Sequence, residues 1–227
     1  MNNFKNSLAW LFHKAGLSAN FITSLGLFFS LVSALLILQG RFFWAGAALL
    51  FSGFLDLMDG AVARLDKDKM TAFGGIFDSS LDRYGDGFVW IALIILYAAN
   101  HIYWYAGLAA SALLGSFLIS YVRARAECVH PKCRVGFWER GERLVYLSLG
   151  LLLGNIAWVV LVLGLGTQLT VFSRMYYAAN YRALSAKTPQ ALAKPGAIIL
   201  LGTGRSHTLY WVKVAILFLL VVLVRIH

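Results

Sequence analysis

Polar and apolar residues in this chain come in blocks rather than in alternation. Apolar runs at residues 21–38, 42–57, 71–97, 104–122 and 156–172 approach the ~20 residues that cross a hydrocarbon core, and none has the two-residue period of a strand. In lipid every backbone amide must be satisfied internally, so such runs are helices unless they close a barrel. A further run, 144–153, is too short to cross alone, and its helix is expected to begin a turn or two earlier. Breaks at 39–41, 98–103 and Asn155 mark the tight turns. Residues 2–17 place Phe4, Leu8, Leu11 and Phe12 at helical spacing beside Lys5 and Lys14, the pattern of a helix lying in the membrane interface. Trp10 suits headgroup depth. A last run of span length, 208–224, follows a more polar stretch that holds Pro189 and Pro195. The pattern predicts an all-α, polytopic membrane bundle with an interfacial helix, six spans and a seventh span near the C-terminal end.

Composition agrees with this reading and narrows it. The chain is 60% hydrophobic and only 13% charged, with a mean hydropathy of +0.73, outside the range of soluble domains. Residues 1–16 carry charge but no continuous apolar core, so no cleavable leader is expected there. The net charge of +10 raises the question of nucleic acid, but its distribution answers it. Lys and Arg gather before the first run and after the second, fourth and sixth, with only Arg41 and Arg225 on the alternate loops. This asymmetry is the positive-inside pattern. It places the N-terminus on the cytoplasmic side of a bacterial or archaeal plasma membrane and argues against a nucleic-acid partner.

The carboxylates change the picture most. Of ten acidic residues, seven lie between positions 56 and 86: Asp56, Asp59, Asp66, Asp68, Asp78, Asp82 and Asp86. Asp56 and Asp59 are three apart and Asp78 and Asp82 four apart, so each pair shares one helix face. Two antiparallel helices meeting at those faces would gather four like charges at one end of a bundle. Divalent cations are the natural compensation, and hard oxygen ligands suit Mg²⁺ or Mn²⁺. Four carboxylates can hold two ions. Gly60 and Gly74 leave room beside such a site, and Arg64 can meet a phosphate bidentately. Asp66 and Asp68 fit as solvated loop residues beside Lys67 and Lys69, while Asp86 is left for Arg83 or a basic group from the fourth or fifth span.

The order Asp56-x-x-Asp59-Gly60-x-x-Ala63-Arg64, nine residues, then Gly74-x-x-x-Asp78-x-x-x-Asp82 resembles the signature of the CDP-alcohol phosphotransferases at all its fixed positions. The resemblance covers residues 4–178, a six-span core domain (1–178), and leaves 179–227 as an extension. It implies metal-dependent attack of an alcohol on a CDP-linked lipid such as CDP-diacylglycerol, with release of CMP. By that likeness Asp56, Asp59, Asp78 and Asp82 would hold Mg²⁺ or Mn²⁺, and Asp82 would be the general base. Asn20, Thr23, Asp56, Gly60, Arg64, Thr71 and Gly74 would contact the CDP-lipid. Many relatives have proline before that Asn, where this chain has Ala19. The family also implies a homodimer, for which Gly46 and Gly53, or Gly107, Ala110 and Gly115, are candidate packing positions.

The acceptor is read from the basic segment further along. Ser120, Arg123 and Arg125 end the fourth span, and Arg140 and Arg143 enter the fifth. These five groups suit an acceptor that already carries phosphate. The pattern Ser120-Tyr-Val-Arg123-Ala-Arg125-Ala-Glu127, then Gly136-x-x-Glu139-Arg140-x-Glu142-Arg143, is similar to the branch that makes phosphatidyl- or archaetidylinositol phosphate from inositol 1-phosphate. Glycerol 3-phosphate is the alternative acceptor. A transporter with intramembrane acids is the alternative of another class, but it would repeat its halves, and no second half matches here. Cys128, His130 and Cys133 lack the fourth ligand of a structural zinc and read as reduced thiols.

Overall fold

The computed structural model describes residues 9–12, 14, 16–65, 71–129 and 135–187, with side chains as far as 180. Six helices follow in order: α1 (Ala19–Leu38), α2 (Phe42–Leu65), α3 (Ala72–Ala99), α4 (Tyr103–Glu127), α5 (Arg140–Leu153) and α6 (Ile156–Lys187). Residues 9–12 are helical ahead of them. The rest of the interfacial helix, His130, Cys133, the Asp66–Lys69 loop and the seventh span lie outside the described residues.

Local chemistry sets the helix ends. Ser18, in extended conformation, caps α1 by accepting from the Phe21 amide at 3.2 Å. Asn20, a natural capping candidate in the sequence, therefore falls inside the first turn and turns its side chain to other use. Thr71 caps α3 by accepting from the Gly74 amide at 3.0 Å. Glu139 and Glu142 form a capping box on α5, with Glu142 accepting from the Glu139 amide at 3.0 Å. Gly154, at φ 72°, closes the hairpin from α5 to α6 just before Asn155, as the sequence predicts.

The helices pack in a ring: α1 on α2, α2 on α5, α5 on α6, α6 on α4, α4 on α3, and α3 back on α1. Its interior is filled by Trp90 and Leu93 of α3, Tyr146, Leu147 and Leu151 of α5, and Val159, Val160 and Leu163 of α6. Small and hydroxyl residues bring α1 and α2 close together. Ser30 and Ser52 share a 2.8 Å hydrogen bond, Ser52 donates to the Gly26 carbonyl, and Ser33 donates to the Ala45 carbonyl, each at 2.8 Å. This ladder sets the register that carries α1 to the acidic end of α2. Gly46 and Gly53 serve the same end inside the bundle, against Ser148 and Leu144 of α5, and Gly115 packs on Thr167 of α6. Of the positions weighed for a dimer, Gly107 and Ala110 alone face outward.

Among the described residues four helices, α1, α2, α4 and the 156–180 part of α6, are long and apolar enough to cross a membrane. Large apolar side chains such as Phe28, Leu35, Trp104 and Leu169 stand on the outside, where lipid is their natural solvent. The other two predicted spans are different in kind. α3 has 28 residues, but its first half carries Asp78, Asp82, Arg83 and Asp86. α5 starts one turn before its apolar run, as expected, yet its 14 residues reach only ~21 Å.

Candidate active site

α2 and α3 both pack extensively on α1, which brings their acidic faces to the same end of the bundle. From α1, Thr23 donates a 2.8 Å hydrogen bond to Oδ2 of Asp59, which is buried. Asp56, Asp59 and Asp78 each offer an oxygen, and the three oxygens lie within 4.8 Å of one another. Oδ1 of Asp78 is buried and has no hydrogen-bond partner among the described residues. A buried, unpartnered carboxylate oxygen beside two further carboxylates is costly without a cation. The donor set, all hard oxygen, fits the Mg²⁺ or Mn²⁺ expected from the sequence.

Asp82, the fourth acid of the motif, stands apart from that trio. Its Oδ1 lies 2.9 Å from Nη1 of Arg140, and the same nitrogen lies 2.6 Å from Oδ1 of Asp56. Asp86, one turn further along α3, receives Arg143 Nη2 at 3.1 Å, with Arg140 Nε at 3.6 Å from its other oxygen. The group left unassigned by the sequence is thus the anchor for two arginines of α5. Arg83 stays on α3, where it donates to the Ser79 carbonyl.

A cleft of about 590 Å³ opens beside the three carboxylates. Asn20, Thr23, Gly60, Arg64, Thr71 and Gly74 all line it, together with Asp59 and Asp78. Every residue expected to meet the CDP-lipid is on this wall except Asp56, which lines a small separate cavity with Ser30, Ser52, Asp82 and Arg140. A side chain at Gly74 would put its Cβ 3.3 Å from Thr71 Oγ1 and 3.6 Å from Asn20 Oδ1, so glycine keeps this corner open. Ala63 of the motif lines the cleft as well, and so do Ser18 and Gly75, which the sequence reading does not include. Gly75, adjoining Gly74, was the available clue.

The five expected acceptor groups make different contacts. Arg123 pairs with Glu127 at 3.1 Å along α4, Ser120 donates to the Ser116 carbonyl at 3.4 Å, and Arg125 is exposed at the end of α4. Arg143 is buried, and besides Asp86 it donates to the Trp138 carbonyl at 2.9 Å. Arg140 alone of the five reaches the catalytic carboxylates. The thiol of Cys128 is exposed and donates to the Ala124 carbonyl.

Comparison with known proteins bears on both the fold and this constellation. The family model described as CDP-alcohol phosphatidyltransferase matches residues 17–172, which include the whole acidic motif. An archaetidylinositol phosphate synthase of Methanothermobacter thermautotrophicus is 36% identical over 171 residues, 72% of this chain and 84% of its own length. A phosphatidylinositol phosphate synthase of Mycobacteroides abscessus is 32% identical over 189 residues, 75% of this chain and 81% of that one. Among solved structures, the phosphatidylinositol phosphate synthase of Mycobacterium tuberculosis with CDP-DAG bound aligns with a TM-score of 0.70 at 26% identity, over 78% of this chain and 94% of that chain. The same enzyme in complex with manganese and citrate aligns with a TM-score of 0.68 at 27% identity, over 77% and 88% of the two chains.

Proposed function

The chain belongs to the CDP-alcohol phosphatidyltransferase family, and we propose that it moves a phosphatidyl-type group from a CDP-linked lipid to inositol 1-phosphate, releasing CMP. It is an integral membrane protein with a phosphotransferase site. The observation that carries the proposal is the single cleft onto which Asn20, Thr23, Gly60, Arg64, Thr71 and Gly74 converge, with Asp59 and Asp78 in its wall. A cytidine diphosphate needs room, amide and hydroxyl partners, and a cation for its phosphates; this cleft offers the first two and Arg64 part of the third.

Asp56, Asp59 and Asp78 would hold Mg²⁺ or Mn²⁺, which when bound neutralises the diphosphate and eases departure of CMP. The residues of the chain do the rest. The attacking hydroxyl oxygen of the acceptor forms a new bond to the lipid-side phosphorus, the bond from that phosphorus to the CMP oxygen breaks, and the hydroxyl proton passes to Asp82. Asp82 is suited to this because it stands one turn from Asp78 and outside the carboxylate trio. Arg140, between Asp56 and Asp82, is the cation nearest the place where a phosphorylated acceptor would present its hydroxyl. Its guanidinium is the natural partner for the acceptor's own phosphate.

Inositol 1-phosphate is favoured because relatives that align over most of the chain are named archaetidylinositol phosphate synthase and phosphatidylinositol phosphate synthase. CMP release by purified protein, supplied with CDP-diacylglycerol, Mn²⁺ and one acceptor at a time, tests this directly. Release with inositol 1-phosphate and not with glycerol 3-phosphate is expected, and the opposite result would sink the assignment. The placement of basic loops supports an active site facing the cytoplasm. The outward Gly107 and Ala110 of α4 support a homodimer, to be checked by the mass of the protein in detergent.

A further inference from the structure

The cleft of about 590 Å³ beside the carboxylates has room for water around any nucleotide it holds. The small cavity lined by Asp82 adjoins it, since Thr23 and Asp59 line both. Water attacks phosphorus by the same route as an alcohol. A site built for transfer must therefore keep its base from water until the acceptor arrives. The way Asp82 is held meets that need.

Both carboxylate oxygens of Asp82 face arginines. Oδ1 lies 2.9 Å from Arg140 Nη1, and Oδ2 lies 3.9 Å from Arg83 Nη1. The contact of Arg140 with Asp56 at 2.6 Å strengthens the nearer of the two holds. Arg140 is the first residue of α5, and that helix is firmly seated. It packs on α2 and α6, with Gly46 and Gly53 of α2 set against Ser148 and Leu144. The backbone of Arg140 is thus fixed, and only its side chain, 24% exposed, can leave. That side chain is not fully satisfied where it lies. Its Nε is buried without a hydrogen bond among the described residues and comes no nearer than 3.6 Å to Asp86. A phosphate dianion offers the planar fork a bidentate partner that no one carboxylate here provides.

We propose that Arg140 decides transfer over hydrolysis: while no acceptor is bound, it occupies Oδ1 of Asp82 and withholds the base from water. The suppressed reaction is complete in itself. A water oxygen bonds to the lipid-side phosphorus, the bond from that phosphorus to the CMP oxygen breaks, the water proton passes to Asp82, and phosphatidate and CMP leave. The proposal rests on the reading of Asp82 as the base. On the function proposed above, the acceptor's own phosphate draws the guanidinium off and frees Asp82 only when a hydroxyl is in place.

The test uses full-length protein in detergent with CDP-diacylglycerol and Mg²⁺ but no acceptor, and follows CMP together with phosphatidate carrying heavy oxygen from labelled water. Arg140→Gln should hydrolyse at least about tenfold faster than the wild type, a part of the ~10²–10⁴-fold that a general base contributes. Arg140→Lys, which keeps the charge but loses the fork, should lie in between and covers the case in which the glutamine variant folds poorly. Rates no faster than the wild type in these variants would overturn the proposal. Adding Asp82→Asn to Arg140→Gln should abolish the gain; a gain that survives means Asp82 does not activate the water, and that too overturns it. A readout without turnover is Mn²⁺ binding in the absence of substrate. It should be at least about threefold tighter in Arg140→Gln, because a competing positive charge beside Asp56 is gone; unchanged affinity means Arg140 does not hold these carboxylates and refutes the guard. Inorganic phosphate separates this inference from the acceptor reading. It should speed acceptor-free hydrolysis by the wild type and leave Arg140→Gln unaffected. Faster hydrolysis by the variant with no effect of phosphate on the wild type would sink the acceptor-phosphate reading of Arg140 and leave the guard standing.

Discussion

Asp56 and Arg140, separated by 84 positions in the chain, meet at 2.6 Å between Oδ1 and Nη1. Because the same nitrogen also reaches Asp82 at 2.9 Å, one guanidinium of α5 joins the acidic faces of α2 and α3. The four motif carboxylates are thereby divided. Asp59 and Asp78 face the cleft, Asp82 faces Arg140, and Asp56 belongs to both groups. On the function proposed above, this division would separate a nucleotide side from an acceptor side.

Arg140→Gln keeps a polar side chain and removes the charge. A charge-assisted hydrogen bond contributes about 1.5–3 kcal/mol, roughly a ten- to hundredfold effect. The expected outcome is a fall of that size in kcat/KM for inositol 1-phosphate, with the KM for CDP-diacylglycerol nearly unchanged. Initial rates of CMP release with each substrate varied in turn check it.

Asp82→Asn should spare binding and stop chemistry. Asparagine cannot take the acceptor's proton, and losing a general base costs ~10²–10⁴-fold in rate. Titration of the variant with CDP should give an affinity near that of the wild type, and near-normal turnover would remove Asp82 from the base role.

Asp78→Asn addresses the cation directly. Its Oδ1 is the buried carboxylate oxygen without a hydrogen-bond partner among the described residues, so it has most to gain from a metal. Mn²⁺ binding, followed by calorimetry or by the spectrum of the free ion, should weaken by at least tenfold in this variant. In Asp82→Asn it should change less, because Asp82 lies outside the trio. Chelation should abolish CMP release in the wild type, and added Mg²⁺ or Mn²⁺ should restore it.

Much of this arrangement was legible in the sequence, for identifiable reasons. Apolar blocks in lipid have few structural options, so the helices and their turns followed from length and polarity alone. The acidic motif could be read because residues three and four apart on a helix meet by geometry, and Thr71 and Gly74 came with it as cap and close approach. What the sequence could not give was partner choice across the ring. Arg123 and Arg143 look alike in the chain, yet Arg123 pairs along α4 with Glu127 while Arg143 is buried on Asp86. Which basic residue meets which acid depends on the α2–α5 and α3–α4 packing, and no local pattern encodes that. The α1 cap went to Ser18 rather than Asn20 for a similar reason: either can start the helix, and the cleft wall takes Asn20. α2 also ran on to Leu65, past its apolar block, because the motif residues continue the helix while facing the cleft.

The buried pair of Asp86 and Arg143 yields a last prediction. The Arg143 side chain is 5% exposed, and its donors go to Asp86 and to the Trp138 carbonyl, so it has little left to offer a soluble acceptor. Sequence pattern alone had put it among the acceptor-binding groups. A buried ion pair is nearly neutral as a unit, but removing one partner strands the other and typically costs about 3–5 kcal/mol. Asp86→Leu should therefore lower the thermal unfolding temperature sharply, and Asp86→Leu together with Arg143→Met should recover most of the loss. If Arg143 is a clasp, the double variant also keeps a KM for inositol 1-phosphate within a few-fold of the wild type, because Arg140 retains Asp56 and Asp82. A recovered fold with an acceptor KM raised a hundredfold would return Arg143 to the substrate site.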